Sequence, residues 1–281
     1  LPSYCTEELG EIQSLIFGYR LKNILKKLNN DLPENFSMNY KNLDLYSSVL
    51  PRAMETVKLI SKETIQSGLN ESSDKIKRIN FIQEKIEQAD DKVNSTTLEE
   101  SNAAVDLLNL EFNTNSGYCE ISRVIEGLDS TDKDIEFKTQ NKEEIKKNYN
   151  EFTSKVLDKL SDEKLNLIVS HSSFLQKSLD FDKDRKMENL DAYLIIYKKN
   201  SLDEWEEIPE LRRLYLFAEN EIIEPNTDGV LIPPVRDKRK LALKNSKNAI
   251  EHVGLKLLDG LSKTSDKTKT NIKERGDQTL L

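Results

Sequence analysis

The run "LNLIVSHSSF", residues 165–174, limits the possible folds more than any other stretch of this chain. Leu165 to Val169 contain a single polar side chain and do not alternate, so both faces of the segment must be covered. That is the condition of a parallel strand between two layers of helices. Small residues break the run at 170–173, and "FLQKSL" resumes with helical spacing. A strand that ends in a small-residue turn and hands over to a helix is the repeating unit of an α/β sandwich.

The same unit occurs earlier. "NLDLYSS" (42–48) alternates apolar and polar residues as a strand does, and Pro51 then sits where a helix begins, at a position whose missing N–H costs nothing. Ahead of it, Leu9, Ile12, Leu15, Ile16, Tyr19, Leu21, Ile24 and Leu25 mark a first helix, with Thr6 as its N-cap. "YCEISRVIEGL" (118–128) reads as a strand ending at Glu126-Gly127. A helix follows at about 143–160, with Tyr149, Phe152, Val156 and Leu160 on one face, and "LDAYLIIYKK" (190–199) as a closing strand. The expected fold is α/β, a three-layer sandwich with a mostly parallel sheet.

Two regions fall outside this alternation. Residues 61–103 are rich in Lys, Glu, Asp, Ser and Asn, and Ile76, Ile79, Phe81, Ile82 and Ile86 give a weak helical period, so a helical insertion is expected there, its helix over 74–95. Beyond residue 200 the pattern loosens. The expected organisation is one α/β domain over 1–200, a turn-rich extension over 201–235, and over 236–281 a charged C-terminal extension of basic helix and disordered tail. The helix, 236–256, carries Arg236, Lys238, Arg239, Lys240, Lys244 and Lys247 and is read as a solvated face rather than a contact for nucleic acid or lipid headgroups.

Composition excludes several classes. No apolar run approaches the roughly 18 residues of a membrane span, so integral insertion is not expected. Two cysteines, Cys5 and Cys119, and two histidines, without ligand spacing, argue against a structural metal or a disulfide framework; no cofactor is expected, and the default compartment is reducing and cytoplasmic. The chain opens at Leu1 without a methionine, from which we expect residues ahead of it, a targeting segment among the candidates.

The candidate chemistry lies at the strand ends, where open α/β sheets bind ligands. His171 ends one strand and Arg52 follows another. If those strands are neighbours, the two converge on one crevice, where a protonated imidazole, a guanidinium and helix N-terminal N–H groups would hold a phosphoryl group. In a chain of net charge −8, such a cationic cluster is a local construction. Glu126, at a third strand end, would supply a general acid.

"SSVLPRAMET" resembles the Ser-x-Leu-x-Arg-Ala-x-x-Thr stretch of the histidine phosphatase superfamily, the phosphoglycerate mutase-like enzymes, through Ser48, Leu50, Arg52, Ala53 and Thr56. "LNLIVSHSSF" is similar to that family's second histidine motif, and Thr6, Gly10 and Gln13 match its early Leu-Thr-x-x-Gly-x-x-Gln-Ala stretch, with Ser14 in place of Ala. The three motifs occur in family order across residues 1–199. The resemblance implies phosphoryl transfer through a phosphohistidine, by a phosphatase or phosphomutase of small phosphorylated metabolites. It makes Arg52 a phosphate-binding arginine, His171 the second histidine, and Glu126, or after it Glu120, the proton donor.

Two departures matter. The family's nucleophilic histidine sits in an Arg-His-Gly motif that occurs nowhere in these 281 residues, and the other histidine, His252, falls in the basic helix. The chain as it stands is therefore expected to be inactive. Ser172 stands where the family carries Gly, and backbone donation to phosphate at that turn is changed accordingly. The alternative reading is a noncatalytic relative that binds phosphate or serves as an interaction scaffold.

Overall fold

A computed structural model describes residues 8–36, 43–69, 75–82, 95–128, 136–138, 142–160, 164–171, 174–175, 187–232 and 234, with five further positions between 244 and 250. In chain order the main elements are α1 (Glu8–Asp31), β1 (Leu43–Ser48), α2 (Pro51–Gln66), β2 (Ile76–Ile79), β3 (Ser95–Thr97), α3 (Leu98–Glu111), β4 (Ile121–Glu126), β5 (Glu136–Lys138) and α4 (Lys142–Lys155). They are followed by β6 (Leu165–Val169), β7 (Ala192–Leu194), β8 (Tyr197–Lys199), β9 (Trp205–Glu207), β10 (Arg213–Leu216) and β11 (Glu221–Ile223).

The centre is a four-stranded sheet of order β4-β2-β1-β6 in which every pairing is parallel. Side chains on its two faces build two cores. On one face Leu43 and Leu45 of β1 meet Phe17 and Leu21 of α1, Met54 and Val57 of α2 and Leu108 of α3. On the other, Tyr46 of β1 meets Ile145, Phe152 and Val156 from α4 and the residue just after it. The period of two along β1 thus divides its side chains between two helical layers. The result is the expected three-layer α/β sandwich.

α1 lies close against α2 because Gly18 has no side chain. A Cβ there would stand 2.9 Å from the carbonyl oxygen of Ile60 and 2.9 Å from Cβ of Glu63. Backbone cannot yield as a flexible side-chain end would, so Gly18→Ala is expected to lower stability by about 1–3 kcal/mol through overpacking. Urea unfolding with unchanged slope and a lower midpoint would show it; an unaltered midpoint would mean the helices can part without cost.

The excursion expected over 61–103 is not helical throughout. α2 continues through Gln66, and Ile76–Ile79 form β2, a central strand rather than part of a 74–95 helix; residues 83–94 lie outside the described residues. β2 carries Arg78, wholly buried. Its Nη1 donates to Ser101 Oγ at 2.8 Å, its Nη2 to Asn102 Oδ1 at 2.6 Å and the Arg123 carbonyl at 2.7 Å, and its Nε to the Ser122 carbonyl at 3.2 Å. One guanidinium thereby clamps α3 and β4 to the middle of the sheet.

The expected closing strand 190–199 is two strands. β7 pairs antiparallel with β10, and β8 pairs antiparallel with β9, in separate sheets. The segment 201–235, read as turn-rich, supplies β9, β10 and β11, and its Tyr215 and Phe217 enter the same core as α1. Thr6 and Ser172 lie outside the described residues, as do 251–281 and Arg236 to Lys240 of the basic stretch. Lys244 and Lys247 within it are helical. Among the described residues no helix is long and apolar enough to cross a membrane.

Candidate functional site

In the order β4-β2-β1-β6 the chain moves outward from β1 through β2 to β4, then returns to add β6 on the opposite side of β1. The crevice beyond the carboxyl ends of β1 and β6 is therefore the topological switch point, where α/β sheets leave room for a ligand. Ser48 is the last residue of β1, and Ser170-His171 directly follow β6. Register places Ser47 opposite Val169, so the two chain ends leave the sheet side by side.

α2 starts without a side-chain cap. Leu50 occupies the cap position in an extended conformation, Pro51 opens the helix, and Arg52 lies in its first turn. A cation in that turn opposes the helix dipole, so something other than helix stability must account for it. Its Nε donates to Nδ1 of His171 at 3.3 Å. On the other side of the ring, Nε2 of His171 lies 3.1 Å from Oγ of Ser48, which accepts the Leu50 N–H at 3.3 Å. Since Nδ1 accepts from Arg52, the proton belongs on Nε2, and the hydrogen bonds assign a neutral imidazole.

The electrostatics agree. His171 is buried, and burial first, then the charge of Arg52, pushes its pKa down to about 3. The protonated imidazole expected from the sequence is thus corrected to a neutral one in this state. Arg52 is exposed at its surface, yet packing around the guanidinium lowers its pKa as well. Thr56, one turn along α2, donates its hydroxyl to the Arg52 carbonyl at 2.9 Å, and Ser170 Oγ donates to the Ile82 carbonyl at 2.9 Å, holding the turn that carries His171.

The expected carboxylates are elsewhere. Glu126 ends β4, two strands from β1, where Lys77 Nζ lies 4.0 Å from its Oε1. Glu120 precedes β4, at the opposite end of the parallel sheet, and pairs with Lys75 at 3.2 Å. Neither lines the cleft that contains Arg52 and His171. Asp191 does line it, but its two oxygens accept the backbone N–H groups of Phe217 at 3.0 Å and Glu188 at 2.9 Å. Reading a strand end as a site member fails for Glu126 because strand order decides which ends are neighbours. Ser48, which entered the sequence reading only as a motif position, is the third member of the cluster.

The cleft is large, about 910 Å³, and extends from the Arg52–His171 pair along β6 toward β7. Among the described residues no cluster of three or more His, Cys, Asp or Glu side chains could hold a metal. The chain matches no protein-family model and no curated protein.

Proposed function

We propose that the Ser48–Arg52–His171 cluster holds a phosphoryl group, and that the chain carries the phosphate-binding part of a phosphoryl-transfer site of the histidine phosphatase type, hydrolysing or transferring phosphate of a small phosphorylated metabolite. The observation that carries this reading is the 3.3 Å contact between Arg52, in the first turn of the helix after β1, and His171, just past the adjacent parallel strand β6, at the switch point. With an oxyanion present, the guanidinium fork neutralises charge on two oxygens and the imidazole donates through a ring N–H to a third. Burial of the imidazole makes its contact stronger than it would be in water. The nucleophile of such a reaction is not in this chain, which has no Arg-His-Gly. A cytoplasmic, reducing setting agrees with Cys119, a buried cysteine in no disulfide among the described residues.

The second reading, a noncatalytic phosphate-binding scaffold, gains from the distance of Glu126 and Glu120 from the pair. A phosphorylation assay tests the residue roles. The 281-residue chain incubated with an aryl phosphate is expected to incorporate no acid-labile phosphate, since His171 holds phosphate rather than attacking it. Inorganic phosphate is expected to bind the same chain, read by the ³¹P resonance and by heat of titration. Incorporation of label at His171 would overturn its assignment, and absence of phosphate binding would overturn both readings.

A further inference from the structure

We propose that Gln13 is a fourth member of the phosphoryl pocket, supplied by α1, and that its side-chain amide donates to a phosphoryl oxygen on the side that Arg52 and His171 leave open. The inference rests on the function proposed above. It adds a wall and a donor that the Ser48–Arg52–His171 cluster does not contain.

α1 turns one helical stripe toward the cleft. From Phe17 onward that stripe is apolar, running through Leu21, Ile24 and Leu28. Ahead of Phe17 it carries two polar side chains, Ser14 and Gln13. Ser14 is accounted for inside the helix, since its hydroxyl donates to the Gly10 carbonyl at 2.8 Å. Gln13 is not. It is only 4% exposed, yet its amide has no hydrogen-bond partner among the described residues. Burying an amide in such a stripe costs stability unless the amide is paired, so its partner belongs to the cleft it lines. Packing of α1 gives no reason for a glutamine at this position.

Helix register sets Gln13 beside Arg52. α1 and α2 run side by side in the same direction: Gly18 abuts Ile60, and one turn further on Lys22 Nζ donates to the Ser67 carbonyl at 2.9 Å. Gln13 precedes Gly18 by five residues, and Glu55 precedes Ile60 by the same five. Both helices rise about 1.5 Å per residue, so Gln13 stands level with the turn from Arg52 to Thr56. Arg52, Ala53 and Thr56 line the cleft together with Gln13, and so does His171.

The chemistry of an amide suits an oxyanion that Arg52 already neutralises. Its NH2 group donates to an ionised oxygen, and its carbonyl accepts from the P–OH of a monoanion, so one side chain serves both charge states of a phosphate monoester. A carboxylate at the same place would repel the dianion. Arg52 then supplies charge from α2, His171 a ring N–H from the end of β6, and Gln13 an uncharged donor from α1.

The test titrates inorganic phosphate into the 281-residue chain. Gln13→Leu keeps the apolar stripe and removes the donor, and is expected to bind phosphate about tenfold more weakly. Its urea midpoint is expected not to fall, because a buried amide without a protein partner is lost. The side-chain NH2 resonances of Gln13, assigned by their disappearance in that variant, should shift with the same phosphate midpoint as the calorimetric heat. Gln13→Glu should bind still more weakly at neutral pH, and its deficit against Gln13→Leu should close toward about pH 5 as the carboxyl takes up its proton. Affinity of Gln13→Leu within about twofold of the unmodified chain, or NH2 resonances that do not move with phosphate, would remove Gln13 from the pocket. Where the leucine variant also loses stability, the resonances decide, since a purely structural amide does not follow phosphate. Arg52→Ala in the same titration reports on the reading beneath: affinity lost there and kept in Gln13→Leu leaves the pocket standing without α1. Absence of phosphate binding by the unmodified chain removes the pocket and Gln13 with it.

Discussion

Arg52→Ala is expected to weaken inorganic phosphate binding by about tenfold to a hundredfold, the worth of hydrogen bonds to a charged partner, while leaving the protein as stable as before. The two halves of this result belong together. Arg52 is exposed and stands in the first turn of α2, where a positive charge opposes the helix dipole, so its removal costs the fold little and relieves an unfavourable interaction of a few tenths of a kcal/mol. Its hydrogen bond to His171 is long, at 3.3 Å, and lies between a cation and a neutral ring. A residue that hurts its helix, and whose hydrogen bond to His171 is weak, is better explained by a ligand than by folding. Arg52→Lys separates charge from geometry: it keeps the cation but loses the planar fork, and intermediate affinity is expected. In an enzyme supplied with its nucleophile, the alanine variant should lose about 10²- to 10³-fold in turnover of an aryl phosphate. Phosphate affinity within twofold of the unmodified chain, measured by titration calorimetry, would remove Arg52 from the site.

The position of Arg52 and His171 was legible in the sequence because each follows a strand whose pattern is clear. β6 is an unbroken apolar run, and β1 alternates before a proline that can only begin a helix. β2 was misread for a specific reason. Ile76 and Ile79 are three apart, a spacing that on a helix means one face. On this strand Ile76 packs into the core of α1 and α2 and Ile79 into that of α4, so the same spacing marks two covered faces. Arg78 between them is buried against neutral hydrogen-bond partners on α3 and β4. The strand 190–199 was misdivided because Ile195 and Ile196 continue its apolar run across the break between β7 and β8. Glu126 was assigned from a strand end and the family resemblance, and Glu120 from the resemblance alone. Strand order, which sets β4 three positions from β6, is a property of tertiary packing that no local pattern carries.

The neutral state of His171 makes acid stability the second large effect. Its pKa is pushed from the ordinary 6.5 down to about 3 in the folded protein, by burial and then by Arg52. Between those values the unfolded chain binds a proton that the folded chain refuses, so stability rises with pH across this window. The contribution is fully present above about pH 6.5 and is lost as pH falls toward 3, at about 1.4 kcal/mol per pH unit. Other groups titrate in the same range, so the measurement is the difference between the chain and His171→Gln, which carries no titrating proton. Urea midpoints of the two between pH 6 and about pH 4 should converge or cross as the unmodified chain loses stability faster. Parallel curves would mean that the imidazole is already protonated in the folded state. Phosphate ties this effect to the site: a bound oxyanion beside the ring offsets the charge of Arg52 and favours the imidazolium, so the pKa of His171 rises on binding. Binding near pH 6 then takes up a proton, and its calorimetric heat should vary with the ionisation enthalpy of the buffer. In His171→Gln that dependence should shrink, because the group that accepted the proton is gone while Arg52 remains.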